Sequence, residues 1–186
     1  RMSMNAFRPL LARALLLGLL GLVLPGAKLA HAADSAEEAR LKAAFVFNFI
    51  KFAEWPEGGA MRAGDSIELC VVGERPLDGQ LDALAGRSVR GQTVRLRKWA
   101  PGTAGRCDIA FVAAGEGGRP ARLQQGNGRE PVLTVADRPG FLEEGGVIEL
   151  KLSGGRVRFD INLAAAREAG LRLSSQLLQL ADRVVQ

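Results

Sequence analysis

Histidine and tyrosine are almost absent from this chain. Its 186 residues include one histidine, His31, and no tyrosine. His31 lies in a segment that we expect to be cleaved, so the mature chain would hold no imidazole. Without imidazole, Ser-His-Asp and Cys-His catalytic arrangements are impossible, and the most common transition-metal ligand is missing. The sequence therefore predicts no enzyme activity and no metal site, and no cofactor is expected.

The first 32 residues have the three parts of a secretory signal peptide. Arg8 and Arg13 precede an unbroken apolar run over residues 14–24, and the small-x-small pattern of residues 30–32 follows. The run has 11 residues, whereas a helix needs roughly 20 to cross a bilayer. We expect cleavage after Ala32, which leaves a single domain over residues 33–186 that works outside the cytoplasm.

Excess positive charge would leave with the signal peptide. Of 25 basic and 20 acidic residues, only basic ones precede the cleavage site, namely Arg1, Arg8, Arg13 and Lys28. The mature chain therefore carries 21 basic and 20 acidic residues. A strongly basic chain would indicate a nucleic-acid partner, but a nearly neutral one does not, so we expect no nucleic-acid binding.

Cysteine is also scarce, with only Cys70 and Cys107 present. An even number of cysteines in an exported chain predicts a disulfide. The bond would close a loop of 37 residue steps, for which the chain-entropy contribution is about 4 kcal/mol. The alternative is two buried free thiols.

The rest of the mature chain alternates between helix and strand patterns. Ser35-x-x-Glu38 resembles a capping box that opens a helix ending before Pro56. Leu41, Phe45 and Phe49 share one face of that helix, while Phe47 lies off it, so we expect more than one side to be buried. Strands are predicted at 66–73, 89–99, 107–113 and 131–136, with a further helix at 75–85.

The C-terminal part predicts an antiparallel hairpin, with arms over residues 147–152 and 156–162 and a Ser-Gly-Gly turn. Val157, Phe159 and Ile161 should face the core, while the side chains alternating with them, Arg158, Asp160 and Asn162, should form a polar face. Ser174 could cap a last helix that runs to Val184. The whole pattern predicts an α/β fold, a Rossmann-like mixed sheet with a parallel centre, flanking helices and this C-terminal hairpin.

Two glycine-containing turns follow predicted buried strands. One contains Gly73, Glu74 and Arg75, and the other contains Gly115, Gly117 and Gly118. If their strands are parallel, both turns lie at the carboxyl ends, the usual ligand edge of such sheets. Neither has the G-x-G-x-x-G spacing of a dinucleotide site. The turns are therefore either part of a small-molecule pocket or plain connections.

Several motifs, taken in order, resemble those of the YfiR/HmsC-like family. They cover nearly all of the mature chain and lie at residues 42–56 (KAAFVFNFIKFAEWP), 70–73 (CVVG), 107–112 (CDIAFV), 133–137 (LTVAD), 145–148 (GGVI), 157–162 (VRFDIN), 164–165 and 171–180. Cys70 and Cys107 match one cysteine pair of that family. This chain lacks the second pair of the best-known member, which puts a redox switch through that second bridge in doubt.

The resemblance implies a regulator in the periplasm rather than an enzyme. It implies that the protein binds the periplasmic domain of an inner-membrane diguanylate cyclase and represses it, which lowers cyclic-di-GMP and disfavours biofilm. It also implies a homodimer, and an outer-membrane lipoprotein that sequesters the regulator. The alternative is a periplasmic small-molecule-binding sensor with its ligand at the 73–76 and 115–118 turns.

A hairpin added to a parallel sheet tends to form its exposed edge. This placement makes Val147, Ile148, Arg158 and Asp160 the candidates for contact with a protein partner. For Val147 and Ile148, simple core packing is an equally open interpretation.

Overall fold

A computed structural model of the chain describes residues 26–56, 66–100, 105–113 and 130–186. The chain divides into two units, Arg1–Ser35 and Ala36–Gln186. Most of the predicted signal peptide lies outside the described residues, so its cleavage stays a prediction. The described elements are α1 (Gly26–Phe52), β1 (Ala53–Glu54), β2 (Ser66–Val72), a 3₁₀ segment (Pro76–Leu84), β3 (Ser88–Val89), β4 (Gln92–Trp99), β5 (Ile109–Val112), β6 (Leu133–Ala136), β7 (Ile148–Ser153), β8 (Arg156–Asn162), α2 (Leu163–Glu168), β9 (Arg172–Leu173), α3 (Ser175–Leu180) and β10 (Arg183–Val185).

Helix α1 differs from the sequence prediction in its start and in its buried side. It begins at Gly26 rather than at Ser35, because residues 27–34 are mostly good helix formers and give no reason for a boundary. Its buried side chains include Val46, Phe47 and Ile50, whereas Leu41 is 43% exposed. The expectation that burial extends beyond the Leu41 side is correct, but Leu41 itself was placed wrongly.

Among the described residues, eight strands form one mixed sheet in the order β10-β8-β7-β6-β5-β2-β4-β3. The five neighbouring strands β7, β6, β5, β2 and β4 run parallel to one another. Leu69 of β2 lies opposite Ile109 of β5. Strand β8 runs antiparallel to β7, and β3 runs antiparallel to β4. The predicted α/β sheet with a parallel centre and a C-terminal hairpin is confirmed.

The sheet is buried on two sides, which we name the α1 face and the disulfide face. Side chains alternate along each strand, so Leu69 packs into the cluster that contains α1, while Cys70 packs into a second cluster. All four residues of β5 and of β6 are buried. Such near-continuous apolar strands are typical of parallel sheets covered on both faces.

The β7–β8 hairpin turns at Gly154 and Gly155, whose φ angles are +56° and +71°. Two successive left-handed residues give a turn whose twist matches that of the flanking strands. On the α1 face, the Phe159 ring lies 5.0 Å from that of Phe49 between ring centroids. The predicted inward direction of Phe159 and Ile161 is confirmed by their burial.

The last helix is shorter than predicted. The Ser174 hydroxyl accepts a hydrogen bond from the Leu177 N–H at 3.2 Å, which confirms the cap, but α3 ends at Leu180. The chain then becomes extended at Ala181 and forms β10, which pairs parallel with β8. The unpaired backbone of β8 needs hydrogen-bond partners, and β10 supplies them. The outermost strand on this side is therefore β10, and not the hairpin as predicted.

The predicted helix at 75–85 is a 3₁₀ segment with an irregular beginning. Arg75, Leu77 and Asp78 have φ angles of 38°, 52° and 50°, in a left-handed region that costs an L-residue about 1–2 kcal/mol. Leu77, Leu81 and Leu84 are buried in the core. We infer that their burial offsets the strain in the backbone.

The left-handed residues give a first prediction. Replacing exposed Asp78 with glycine should raise the free energy of unfolding by about 0.5–1 kcal/mol, because relief of the strain exceeds the extra entropy of glycine in the unfolded chain. The matched control is Ala83→Gly, in the helical part of the same segment, which should lower the free energy of unfolding by about 1 kcal/mol. Urea unfolding measures both changes, and an equal loss of stability in both variants would contradict the prediction.

Candidate functional site

The predicted disulfide is present between Cys70 of β2 and Cys107, which precedes β5. Their Cα atoms lie 5.8 Å apart, and the two residues are 0% and 2% exposed. The bond lies in the cluster on the disulfide face, which also contains Val72, Trp99, Ala110, Val112, Val132, Ala136 and Phe141. The bond links β2 to the segment before β5, and apolar side chains surround its sulfur atoms.

A buried ion pair holds the segment that carries Cys107 against β2. The Asp108 carboxylate accepts the Glu68 N–H at 2.8 Å, and its Oδ1 lies 3.1 Å from Arg106 Nε. Arg106 also donates to the Ser66 carbonyl at 2.8 Å. Arg106 and Asp108 therefore hold the start of β5 against the start of β2. The disulfide depends on the same close approach of the two strands.

Burial determines the proton affinity of Asp108. Desolvation raises the pKa of its carboxyl above the ordinary value, while the Glu68 N–H and the Arg106 guanidinium oppose that shift. The charged form of Asp108 is therefore disfavoured by burial and favoured by Arg106. Removing a partner from such a pair is more costly than removing an exposed charge.

A second group of charges, here named the charged edge cluster, lies on the disulfide face of β7, β8 and β10. It consists of Lys151, Arg158, Asp160, Asp182 and Arg183. Lys151 Nζ lies 2.7 Å from Asp160 Oδ1 and 2.8 Å from Asp182 Oδ2. Arg183 Nε lies 3.2 Å from Asp160 Oδ2.

The ion pairs of the charged edge cluster shift the pKa values of two of its members, each in the direction that favours the charged form. Hydrogen bonds to Asp160 and Asp182 raise the pKa of Lys151, and the hydrogen bond to Lys151 lowers the pKa of Asp182. Asp160 is only 2% exposed, so the predicted solvent-facing position of its side chain was wrong. Lys151 and Arg183 cover the Asp160 carboxylate, which the alternation of β8 alone could not indicate.

The four predicted partner-contact residues separate into two environments. Arg158 is exposed, and it lies with Asp160 in the charged edge cluster. Val147 and Ile148 are 1% and 0% exposed and belong to the core of the α1 face. For these two residues, core packing is the arrangement that the structure describes.

Of the two predicted ligand turns, the first lies at the carboxyl end of a parallel strand. Gly73, Glu74 and Arg75 directly follow β2, and the N–H of Ala113, just after β5, donates to the Val72 carbonyl at 2.9 Å. Gly115, Gly117 and Gly118 lie outside the described residues. The placement of the first turn at the end of a parallel strand agrees with the prediction.

A cavity of about 220 Å³ lies beside the first turn, between the 3₁₀ segment and strands β2 and β4. Arg75 lines this cavity, together with Asp82 and Lys98, two residues that sequence reasoning missed. The register between β2 and β4 places Lys98 at the cavity, because Lys98 pairs with Val71 at the carboxyl end of β2. A sequence reading has no access to that pairing until the strand order is known.

The described part of the chain contains neither a metal-binding cluster nor a membrane-spanning helix. No three or more His, Cys, Asp or Glu side chains among the described residues come together as a possible metal site. In the same part of the chain, no helix combines the length and the apolar character needed to cross a bilayer.

The Arg106–Asp108 pair yields a second prediction. Arg106→Gln should lower the free energy of unfolding by about 2–3 kcal/mol, because it leaves the Asp108 carboxylate buried without a cation. The control is Arg95→Gln, which changes an exposed arginine of β4 and should cost less than about 0.5 kcal/mol. The double variant Arg106→Gln with Asp108→Asn should be more stable than Arg106→Gln alone. Denaturant unfolding measures these changes. A loss of stability in Arg106→Gln no larger than that in Arg95→Gln would refute the predicted role of the ion pair.

The disulfide yields a third prediction. Replacing both Cys70 and Cys107 with alanine should lower the free energy of unfolding by about 4 kcal/mol, because the unfolded chain regains the entropy of an open loop. As a control, thiol labelling of unfolded, unreduced wild-type protein should detect no free thiol. Two reactive thiols in that sample would contradict the bond.

Comparison with known proteins places the chain in a family. A solved structure from Vibrio cholerae O1 biovar El Tor strain N16961, described as a conserved domain protein, is 13% identical, with a TM-score of 0.45 and 63% of this chain covered. This chain spans 54% of that structure's length. A family model described as YfiR/HmsC-like matches residues 39–182. The chain therefore belongs to the YfiR/HmsC-like family.

Proposed function

We propose that this protein is a periplasmic regulator that binds and represses an inner-membrane diguanylate cyclase. The observation that carries the proposal is the family match over residues 39–182, which covers almost all of the second unit. A repressor of this kind would lower cyclic-di-GMP and thereby restrain biofilm formation. It needs a protein-binding surface rather than catalytic groups.

The side of the sheet formed by β8 and β10 has features that suit such a surface. Arg158, Asp182 and Arg183 are exposed there. Val185 of β10 is 36% exposed, and Leu180, at the end of the preceding helix α3, is 60% exposed. Protein interfaces commonly combine apolar anchors with a charged rim that sets orientation and speeds encounter. We propose that the cyclase's periplasmic domain contacts this surface.

Asp160, Val147 and Ile148 are buried, and they would hold the exposed residues of this surface in position. The Asp160 carboxylate holds Lys151 and Arg183 at 2.7 Å and 3.2 Å, so it positions two cations that face solvent. Val147 and Ile148 anchor the hairpin in the core. Of the four predicted residues, Arg158 is the one that we propose to contact the partner directly.

The decisive experiment is deletion of the gene in its own host. Loss of a repressor should raise cyclic-di-GMP and surface attachment, and a copy of the wild-type gene should restore both to their original levels. Cyclic-di-GMP is quantified in cell extracts, and attachment is measured in the same cultures. Unchanged cyclic-di-GMP in the deletion strain would refute the repressor.

Charge reversal tests the proposed surface. Arg158→Glu should fail to restore the low level of cyclic-di-GMP, because close charge pairs across an interface contribute about 1.5–7 kcal/mol. Arg95→Glu, which reverses an exposed arginine on β4, should restore it fully. Equal periplasmic amounts of the two variants are verified by immunoblot. Full restoration by Arg158→Glu would place the partner contact elsewhere on the protein.

We propose a homodimer as the assembly state, and an outer-membrane lipoprotein as a second, sequestering partner. Light scattering of the purified protein should give twice the mass of one chain. Affinity capture from envelope extracts should retain the cyclase and the lipoprotein from wild-type protein, and the Arg158→Glu variant should retain less of the cyclase.

A second function, the binding of a small molecule as a sensor, is favoured by the cavity beside Arg75. The two functions are compatible, since a regulator can respond to a ligand.

A further inference from the structure

We propose that the cavity between the 3₁₀ segment and strands β2 and β4 binds a small organic monocarboxylate through Arg75 and Lys98. The inference rests on the second proposed function, the binding of a small molecule, and names its ligand class. It uses a lining that differs from the turns singled out in the sequence, since Gly73 and Glu74 do not line the cavity.

The wall of the cavity is mostly apolar and suits a hydrocarbon body. Val71 of β2 and Leu96 of β4 form one side, and Pro76 and Leu81 of the 3₁₀ segment form the other. The volume of about 220 Å³ is below the roughly 300–1,000 Å³ of pockets that hold drug-sized ligands. This space suits a ligand of about seven to ten non-hydrogen atoms, smaller than the drug-sized ligands of larger pockets.

Two cations are available for the polar end of the ligand. Arg75 is exposed at the lining, and its one long contact is an exposed donation to the Asp78 carbonyl at 3.5 Å. Lys98 has an ion-pair contact with Glu74 at 3.5 Å, in which both side chains are largely exposed. Such exposed pairs contribute little, so a carboxylate could replace Glu74 at small cost. The third cation in the lining, Arg97, donates instead to the Arg106 carbonyl at 3.3 Å.

Asp82 restricts the charge of the ligand. Its carboxylate belongs to an exposed residue in the same lining as Arg75 and Lys98. Arg75 and Lys98 carry two positive charges and Asp82 carries one negative charge, so one negative charge on a ligand would complete the balance. A second negative charge would be repelled by Asp82. A monocarboxylate is therefore favoured over a phosphate ester or a dicarboxylate.

The backbone beside the cavity carries a second, independent sign of function. Arg75, Leu77 and Asp78 all lie in the left-handed region, next to Gly79 at φ +79°. Strained residues of this kind cluster at ligand-binding sites. A Cβ on Gly79 would lie 3.1 Å from Arg75 Nη2, so glycine leaves the space in which the guanidinium lies. The cavity is also at the carboxyl ends of β2 and β4, where parallel sheets usually bind ligands.

The test is a titration of the purified full chain with benzoate, whose size falls in the stated range, followed by methyl NMR. The methyl signals of Val71, Leu81 and Leu96 should shift on binding, while those of Leu133, at the start of β6, should not. Arg75→Gln and Lys98→Gln should each weaken benzoate binding by about tenfold, as expected for loss of a charge-assisted hydrogen bond. Arg95→Gln should leave it unchanged, and each variant's methyl spectrum shows whether it has folded.

Two further probes separate failure of the ligand class from failure of the sensor function. Benzamide has the same size without the charge, and phthalate has a second carboxylate; both should bind at least about tenfold more weakly than benzoate. If benzamide binds as well as benzoate, the cavity binds small molecules but the proposal of a carboxylate is overturned. If none of the three probes shifts the cavity methyls at about 20 mM, a very weak limit for ligands of this size, both the ligand class and the binding function of this cavity are overturned.

Discussion

The burial of β2 and β5 on both faces is the constraint on which the rest of this structure depends. The strands lie side by side at the centre of the sheet, with Leu69 opposite Ile109 and Val72 opposite Val112. Because both faces of this pair are buried beyond Glu68, the side chains there must be apolar and the backbone groups must be paired with neighbouring strands. Helix α1 covers one face, and the cluster around the disulfide covers the other.

The polar groups at the start of this strand pair fix it in place. Asp108 satisfies the Glu68 N–H with its carboxylate, and its own carbonyl accepts the indole N–H of Trp55 at 3.2 Å. Arg106 compensates the charge of the carboxylate. The disulfide and the Arg106–Asp108 ion pair thus both hold residues 106–108 next to β2. Loss of either should weaken the contact between the start of β5 and β2.

Polarity increases from the centre of the sheet toward both of its sides. On one side the disulfide face ends in the charged edge cluster, where Lys151 contacts two carboxylates. On the other side β4 contributes Lys98 to the cavity beside the 3₁₀ segment. Strands β5 and β6 separate the two regions, and both strands are wholly buried. A partner on the β10 side and a ligand beside β4 would therefore contact different parts of the sheet, joined by a rigid core.

The parallel strands, the hairpin and the disulfide could all be predicted from local patterns. Each depends on a short-range rule: continuous apolar runs for β5 and β6, two glycines at the β7–β8 turn, and two cysteines in an apparently exported chain. The candidate site was predicted less completely. Arg158 was placed correctly on a polar face, but Asp160 on the same face is buried by Lys151 and by Arg183, which lies 23 residues further along the chain.

The sequence by itself determined which segments are apolar enough to form the sheet, where the hairpin turns, and the family to which the chain is similar. Tertiary structure alone decided which side of α1 is buried, that residues 183–185 form a strand rather than the end of a helix, and that Lys98 lies with Arg75 at one cavity. The reason is physical. Local patterns report the conformational preference of a segment, whereas burial, edge pairing and the meeting of charges depend on which distant segment occupies the adjacent space.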